Sequence, residues 1–504
     1  MTGKREYGDY QTPPEFAERI CRFLKTERGI SPETVLEPTC GIGNFLQSSL
    51  IFGASEYHGV EINPAYCETC KERISDGRVT IHQSDFFTFD WKQIQKEKLF
   101  IVGNPPWVNN STLSVLQSGN LPIKSNFKGL KGMEALTGAS NFDICEYMIL
   151  RLLNECRGTD TSLAMLCKTS VARNIYLELE RQNIWFRNCE IFTFDALRVF
   201  GIHASACLLF IQLSKTETAP SACKTCSLED GGQMQTLFFA QNGKYHAQAA
   251  SGIADIDGKC CFAWRQGVKH DCAGVMELVY QDGVFRNGQK ESVEIEPDMM
   301  FPLMKSSMFK RPISDTFEKY VIVTQRKIRE DTTHIAEEYP LTWAYLNRNR
   351  IQFEKRKSSI YRGAPDFSMF GVGEYSYARY KVGVSGFYKE PLFSVLVSKD
   401  GKPVMTDDTS YFICFPSYSA AYTAMLYLNS RKVQDFLKSI AFLDGKRPYT
   451  KKVLDRLDFQ KIQNEVSFAE LMETERTLGL EPYLQESMLD AFSLLPEMAQ
   501  QSFL

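Results

Sequence analysis

Short apolar runs alternate with helix-like stretches through the first 215 residues, and this alternation restricts the fold more than any other feature of the sequence. Strands that alternate with helices assemble into a mainly parallel sheet with helices on both faces. Ligands of such sheets bind at the carboxyl ends of the strands. The sequence therefore predicts an α/β fold with its site at that edge. The predicted strands lie at residues 34–36, 57–62, 79–81, 99–102, 162–167, 191–194 and 206–213.

The chain is long enough for at least two domains, because 504 residues exceed one ordinary core. After residue 213 the sequence becomes rich in Ser, Thr, Gly and Lys, which indicates a linker or an exposed loop. We therefore predict a first domain over residues 1–215, a linker over 216–230 and a second, α+β domain over 231–504. In the second domain we expect strands at 380–384, 392–397 and 411–415, and helices at 418–429 and 431–441.

Composition and charge fit a globular protein with at most a local nucleic-acid surface. Hydrophobic residues make up 43% of the chain and charged residues 24%. The formal net charge of -3 argues against binding nucleic acid over the whole surface, since such binding depends on neutralising phosphates. Between residues 305 and 389, however, 16 Lys and Arg stand against 9 Asp and Glu, an excess of 7 positive charges. This excess indicates either a basic face or an ordinary solvated surface.

The cysteines and the lack of a membrane-length apolar run lead us to expect a cytoplasmic protein with reduced thiols. The fifteen cysteines are scattered, and several lie in apolar runs, where a thiol packs as a small hydrophobe. The pair Cys223 and Cys226, with Cys260 and Cys261 further on, has half of a zinc-site spacing. We predict no metal site, and zinc on these four residues is the alternative.

Three motifs at successive strand ends predict a nucleoside site. The stretch EPTCGIGNF follows the first strand, where Gly41 and Gly43 allow a tight turn and a close backbone approach to a ligand. Glu61 ends the second strand, where a carboxylate can accept hydrogen bonds from both ribose hydroxyls. Asp85 and Phe86 follow the third and offer an acceptor and an aromatic wall for an adenine ring. Either acid taken alone could instead be a helix N-cap or a surface residue.

The run NPPW follows the fourth strand and predicts a clamp for an aromatic amino group. The two prolines hold Asn104 and Pro105 in extended geometry. The Asn104 side-chain oxygen and the Pro105 carbonyl can accept both amino hydrogens, which favours a pyramidal and more nucleophilic nitrogen. Trp107 can stack on the ring that carries the amine. The alternative is a proline-stopped strand in which Trp107 fills the core.

The order of these motifs resembles the gamma class of S-adenosylmethionine-dependent DNA adenine-N6 methyltransferases. GDYQTPPEF precedes EPTCGIGNF, and an acidic strand end, SDFF and NPPW follow, over roughly residues 5–215. The resemblance implies a Rossmann-like methyltransferase domain and S-adenosylmethionine as cofactor. It also implies methylation of the N6 amino group of an adenine flipped out of a specific double-stranded DNA sequence, as in restriction-modification.

The resemblance also implies a set of cofactor residues. Thr12 would be an N-terminal contact, the loop from Glu37 to Gly43 would surround the methionine moiety, Glu61 would hold the ribose, and Asp85 with Phe86 would hold the adenine. The full set is Thr12, Glu37, Pro38, Thr39, Cys40, Gly41, Gly43, Glu61, Asp85, Phe86 and Pro106.

The same resemblance assigns the target base to Asn104, Pro105, Trp107 and Phe200. Phe200 would stack on the extruded adenine opposite Trp107, and its alternative role is that of a core residue. The segment 142–144 (FDI) would line the pocket. Where the family more often has Tyr or Phe, this chain has Trp107, which preserves stacking but changes the size of the pocket.

The second half resembles, less specifically, the target-recognition portions of methyltransferases related to type IIG restriction enzymes. Its basic side chains are candidate phosphate contacts or simple surface charge. They are Arg348, Arg350, Lys355, Arg356, Lys357, Lys446, Arg447, Lys451 and Lys452. A separately encoded restriction nuclease is a further possible partner.

The sequence also allows other functions. RNA and protein-glutamine methyltransferases also use an NPP-aromatic turn, and a cytosine-N4 acceptor is chemically similar. A rival of another class is a non-catalytic DNA-recognition subunit that keeps a methyltransferase fold. Intact Glu37, Glu61, Asp85 and Asn104 favour an active enzyme.

Overall fold

The structure is a computed structural model that describes residues 11–107, 143–218, 222–241, 244–247, 254–398, 400–441 and 447–495. The chain divides into two compact units, Met1–Gln248 and Ala249–Leu504.

The first unit contains one ten-stranded sheet, in the order β10-β9-β8-β6-β7-β5-β4-β1-β2-β3. The strands β1 to β5 run parallel, and β7 pairs antiparallel with both β5 and β6. The strands are β1 Thr34–Glu37, β2 Glu56–Glu61, β3 Val79–Gln83, β4 Leu99–Gly103, β5 Ser162–Lys168, β6 Phe186–Asp195, β7 Ser205–Leu213, β8 Cys223–Ser227, β9 Met234–Gln241 and β10 Lys244–Ala247. The predicted α/β fold is confirmed, and a strand lies at each of the seven predicted positions.

Helices flank these strands, and the longer ones bury an apolar side. In α1 the buried residues recur at helical spacing, as in Phe16, Ile20 and Leu24. Proline begins both α1 and α3, where its missing N–H would have no helical partner anyway. The helices are α1 Pro14–Glu27, α2 Asn44–Ser49, α3 Pro64–Arg73, α4 Ile144–Glu155, α5 Thr169–Arg181 and α6 Ala196–Phe200.

The order of the strands creates a switch point between β1 and β4. From β1 the chain proceeds to β2 and β3 on one side, and then returns to β4 on the other side of β1. Both strands are fully buried, as their continuous apolar runs require in a sheet covered on both faces. Crevices at such switch points are the usual ligand sites of open α/β sheets.

The boundary between the units lies later than the sequence predicted. Residues 223–227 form β8, which pairs parallel with β6, so part of the predicted linker is inside the sheet. The strands β9 and β10 extend the same sheet, and the division follows Gln248. The reason is that β8 buries small thiol and hydroxyl side chains, whose polar composition resembles that of a loop.

The second unit has a five-stranded sheet, β11-β21-β18-β19-β16, and a six-stranded sheet, β14-β13-β12-β17-β15-β20. The strands are β11 Arg265–Gln266, β12 Glu277–Gln281, β13 Val284–Asn287, β14 Ser292–Val293, β15 Met300–Met304, β16 Ile313–Ser314, β17 Lys319–Ile322, β18 Tyr380–Ser385, β19 Ser394–Leu396, β20 Met405–Thr406 and β21 Ser410–Phe415. The helices are α7 Ala273–Met276, α8 Ile335–Glu338, α9 Pro340–Arg348, α10 Arg350–Glu354, α11 Tyr418–Asn429, α12 Arg431–Ile440, α13 Lys451–Leu454, α14 Phe459–Glu465, α15 Phe468–Thr477 and α16 Glu486–Ser493.

One hydrophobic cluster of the second unit forms around α11, which is buried along most of its length and packs against β18, β19 and β21. A lysine lies inside this unit: Lys381 of β18 donates to the carbonyl oxygens of Ser376 and Val404, each 2.7 Å from Nζ. Burial lowers the pKa of Lys381 to about 8, because the protein interior disfavours the charged ammonium.

All fifteen cysteines are free thiols, and most are buried. Cys223 Sγ lies 3.5 Å from Cys189 Sγ across two neighbouring strands, so it packs within the sheet. The described residues contain no cluster of three or more His, Cys, Asp or Glu that could hold a metal ion. Among the described helices, none combines the length and the apolar character needed to cross a membrane.

Candidate active site

The loop after β1 is held against the end of β2 by Glu61. The Gly41 N–H donates to Glu61 Oε2 at 2.9 Å, and the Asn63 N–H donates to Oε1 at 2.8 Å. Each carboxylate oxygen has more than one lone pair, so both can accept further hydrogen bonds from a ligand. Glu61 is half-buried.

Conformation favours glycine at both positions of this loop, and packing also favours it at Gly43. Gly41 and Gly43 have φ of +52° and +81°, a region that side chains other than glycine enter at a cost. A Cβ on Gly43 would lie 2.4 Å from Cys70 Sγ and 2.9 Å from Ile74 Cδ1. A Cβ on Gly41 would lie 2.7 Å from Gln11 Oε1, so the N-terminal segment packs directly on the loop.

Glu37 ends β1 with its carboxyl group buried beneath the loop. Its Oε2 accepts the Leu46 N–H at 2.8 Å, and the residue is 3% exposed. Burial raises the pKa of the Glu37 carboxyl well above its ordinary value, and the nearby Cys70 and Glu61 add to the rise. A cationic group bound at this point would stabilise the ionised carboxylate.

The end of β4 lies beside the end of β1. A Cβ on Gly103 would lie 3.4 Å from Glu37 Cγ and 3.6 Å from Pro38 Cδ. The NPPW run that follows Gly103 is therefore next to the glycine loop, across the switch point. The structure thus brings together the motifs that the sequence placed at the first and fourth strand ends.

Three buried polar atoms around the glycine loop have no hydrogen-bond partner among the described residues. They are Thr12 Oγ1, Thr39 Oγ1 and Asn44 Oδ1. The Asn44 amide nitrogen donates to the Thr12 carbonyl oxygen at 2.7 Å, which ties the QTPP segment to this loop. A ligand bound beside the loop could supply these atoms with partners, which buried polar atoms in proteins nearly always have. Asn44 was not among the predicted site residues, although its place at the start of α2, after two glycines, was a usable signal.

Asp85 and Phe86 lie at the end of β3, next to β2. The Ser84 N–H donates to the Glu61 carbonyl oxygen at 2.9 Å, which brings the two strand ends together. Asp85 Oδ1 accepts the Phe87 N–H at 2.8 Å and so fixes the turn. Phe86 is 5% exposed and packs on Trp91, with 4.8 Å between ring centroids. Its role as a wall for an adenine ring stays a prediction.

The NPPW run ends in an anchored indole. Trp107 is 8% exposed, and its Nε1 donates to the Leu166 carbonyl oxygen in β5, at 3.3 Å. Its ring meets the Phe200 ring edge to face, with 5.6 Å between centroids and 73° between planes. Asn104 is half-buried and Pro105 is buried. The structure therefore brings together the two aromatic residues that the sequence assigned to one pocket. Trp107 is the last residue of the NPPW run, and Phe200 is the last residue of α6.

An ion pair near these strand ends joins Asp143, in the segment predicted to line the pocket, to Lys168, which was not predicted. Lys168, the last residue of β5, places Nζ 2.6 Å from Asp143 Oδ2, and Asp143 caps α4 by accepting the Cys145 N–H at 3.1 Å. Burial raises the pKa of Asp143, and the ion pair with Lys168 opposes that rise. A lysine that ends the apolar run SLAMLCK was the signal for it. Phe142, also predicted to line the pocket, lies outside the described residues.

The basic side chains predicted to contact phosphates in the second unit differ in exposure and in the partners they already have. Arg356 is half-buried, donates to the carbonyl oxygens of His270 and Ser368, and lies 3.7 Å above the Tyr361 ring. Two others are ion-paired: Arg350 with Asp366 at 2.7 Å and Lys451 with Asp455 at 2.6 Å. Arg447 is half-buried, with Nη1 3.4 Å from the Asp408 carbonyl oxygen. The exposed ones are Arg348, Lys355, Lys357 and Lys452, and Lys446 lies outside the described residues.

Comparison with known proteins finds two type II methyltransferases that are similar to this chain. No protein-family model matches the sequence. The chain is 36% identical over 473 residues to the type II methyltransferase M.NspV of Nostoc sp. (strain ATCC 29411 / PCC 7524), which covers 91% of this chain and 97% of that protein. It is 37% identical over 106 residues to the type II methyltransferase M.CvrRI of Paramecium bursaria Chlorella virus XZ-6E, which covers 21% of this chain and 26% of that one.

A solved structure has the same fold over nearly the whole chain. It is the type IIL restriction-modification enzyme MmeI, determined in complex with DNA, with a TM-score of 0.56 and 13% sequence identity. The superposition covers 97% of this chain and 76% of MmeI. At this identity the likeness supports the fold of both units.

Proposed function

Because this chain belongs to the type II DNA methyltransferases of restriction-modification, we propose that it methylates the N6 amino group of an adenine within a specific double-stranded sequence. S-adenosylmethionine is the cofactor of this family. The observation that carries the proposal is the meeting of the glycine loop, Glu61 and the NPPW run at one switch point. The finer assignments, to adenine and to a flipped base, rest on Asn104, Pro105, Trp107 and Phe200.

The residues around the glycine loop fit S-adenosylmethionine. The ligand carries ribose hydroxyls, an ammonium group and a carboxylate, and it supplies a methyl group on a positively charged sulfonium. Glu61 would accept from the hydroxyls, and the buried Glu37 carboxylate would pair with the ammonium group. The buried oxygens of Thr12, Thr39 and Asn44 would gain the partners they lack within the described protein.

The NPPW run would hold the amino group of the target base. Asn104 and Pro105 would accept its two hydrogens, and positioning of the nitrogen would supply most of the rate enhancement. Trp107 and Phe200 would stack on the two faces of the base, which would offset part of the few kcal/mol that extrusion from a duplex costs. Since the two rings are now in edge contact, they would have to separate before a base could enter between them.

The test is the product made in cells. We expect DNA from a host without its own methyltransferases, expressing this chain, to carry N6-methyladenine at one position of one short sequence. Single-molecule sequencing identifies the modified sequence, and mass spectrometry of digested nucleosides identifies the modified base. N4-methylcytosine as the product would replace the adenine assignment but keep the DNA methyltransferase. Unmodified DNA together with S-adenosylmethionine binding in calorimetry would favour an RNA or protein substrate, and the absence of binding would favour a non-catalytic recognition subunit.

A second prediction concerns the cofactor cradle. We expect Thr39→Val to weaken S-adenosylmethionine binding by about five- to tenfold, since a neutral hydrogen bond contributes about 1 kcal/mol. Its free energy of unfolding should stay the same or rise, because the hydroxyl has no partner among the described residues. Calorimetric titration and urea unfolding measure the two effects.

The matched control for Thr39→Val is Thr225→Val. Thr225 lies on β8 and also buries a hydroxyl that has no partner in the described part of the chain. The control should change stability in the same direction and leave cofactor affinity unchanged. Equal cofactor affinities in the two variants would count against the proposed cradle.

A further inference from the structure

A tightly closed loop of the second unit, residues 325–330, follows β17. Gln325 is buried beneath it, with Nε2 donating to the Glu330 carbonyl oxygen at 2.5 Å and Oε1 accepting the Met369 N–H at 2.8 Å. The Glu330 carboxylate accepts the backbone N–H groups of Arg326 and Lys327. The loop is therefore held from inside, and its tip has a defined shape.

The tip of this loop, residues 326–329 (RKIR), is exposed and basic. None of Arg326, Lys327 and Arg329 forms an ion pair with any part of the chain that the structure describes, and the Glu330 carboxylate is bound to backbone N–H groups. Between the cations lies Ile328, which is 48% exposed. The Arg326 guanidinium lies over the Tyr377 ring, 5.1 Å from its centroid. Unlike Arg350 and Lys451, none of the three cations is paired with a carboxylate of the described residues, so their N–H groups can still bind phosphates.

The backbone of the tip is strained. Arg329 has φ of +64°, in the left-handed region where an L side chain carries a cost that glycine avoids. Strain of this kind persists only where the surrounding contacts over-determine the conformation, as the Gln325 and Glu330 hydrogen bonds do. Arg329 therefore occupies a turn position that glycine would occupy at a lower conformational cost.

We propose that this tip enters a groove of duplex DNA, with its three cations on backbone phosphates and Ile328 packed against the bases. The inference rests on the proposed function, because it gives the DNA substrate a specific contact in the second unit. Lys and Arg on phosphates supply the salt-dependent part of DNA affinity, and apolar wedges between base steps deform the helix. A single exposed isoleucine is ordinary on a protein surface, but this one lies at the apex of a rigid loop between cations without ion pairs.

The charges are tested in the full-length protein with Arg326→Gln/Lys327→Gln/Arg329→Gln. The probe is a random-sequence duplex of 30 base pairs, titrated by fluorescence anisotropy over a range of salt concentrations. We expect the slope of log K against log salt to become shallower by about 2 to 3, since each phosphate contact contributes about 0.9. The matched control, Lys290→Gln, removes an exposed cation that also has a positive φ, in another turn of the same unit, and should leave the slope unchanged. A slope equal to that of the control would overturn the proposal.

The apolar contact is tested with Ile328→Ser against Leu341→Ser, which alters an exposed leucine at the start of α9. We expect Ile328→Ser to keep the wild-type salt slope and to lower kcat/KM for plasmid methylation at least tenfold more than Leu341→Ser does. Equal values of kcat/KM would overturn the wedge. If wild-type protein methylates no DNA, the proposed function fails, and the salt slopes still decide whether the tip binds the duplex. Cofactor titration confirms that each variant keeps an intact first unit.

Discussion

Asn104→Ala is expected to lower methyl transfer to DNA by about 1,000-fold, while affinity for S-adenosylmethionine stays within about twofold of wild type. The substitution removes one of the two acceptors proposed for the amino hydrogens, and the nitrogen then loses both its position and its pyramidal geometry. Preorganised polar groups at a reacting centre commonly contribute about 100- to 1,000-fold each. The proposed cofactor contacts come instead from Glu61 and the loop after β1.

The measurement is single-turnover transfer of labelled methyl groups to plasmid DNA, with calorimetry of cofactor binding in parallel. Asn104→Asp keeps an acceptor oxygen and should recover part of the activity. Asn154→Ala removes another half-buried amide, on α4, that donates to the Leu150 carbonyl oxygen and should alter transfer little. Near-normal turnover in Asn104→Ala would show that NPPW is a structural turn, as the alternative sequence interpretation holds.

Gly43→Ala is expected to destabilise the first unit and to weaken cofactor binding at least about tenfold. The added Cβ would lie 2.4 Å from Cys70 Sγ at a φ of +81°. The backbone cost is about 1 to 2 kcal/mol, and overpacking adds about 1 to 3 kcal/mol. The loop would have to shift, and with it the Gly41 N–H that holds Glu61.

Gly53→Ala separates the backbone cost of Gly43→Ala from its overpacking cost. Gly53 has φ of +71° and nothing within 4 Å of an added Cβ, so its variant should pay the backbone cost alone and bind cofactor normally. The double variant Gly43→Ala/Cys70→Ala should recover part of the stability and of the cofactor affinity, relative to Cys70→Ala alone. Urea unfolding and calorimetric titration give both quantities. Equal losses in Gly43→Ala and Gly53→Ala would mean that the contact with Cys70 does not hold the loop.

The α/β fold of the first unit was predictable because it depends on local pattern, whereas in the second unit the six-stranded sheet was not predicted. Continuous apolar runs such as 99–102 mark buried strands of a parallel sheet, and the structure has β4 at that place. The strands and helices expected in the second domain, such as 411–415 and 418–429, are present as β21 and α11. The family and its cofactor were also readable, because the motifs occur in a characteristic order along the chain. The start of β8 at Cys223 was not predictable, since buried thiols and hydroxyls look like a polar loop.

The sequence by itself determined the seven predicted strands of the first unit, the order of the motifs and the residue types that could hold a nucleoside and an amino group. Only the tertiary structure decided which of them meet. Gly41 binds Glu61 across two neighbouring strands, Trp107 touches Phe200, and Lys168 pairs with Asp143. The physical reason is that these contacts depend on the order of strands in the sheet. Periodicity reports which side of an element is buried, whereas strand order is set by packing between elements far apart in the chain.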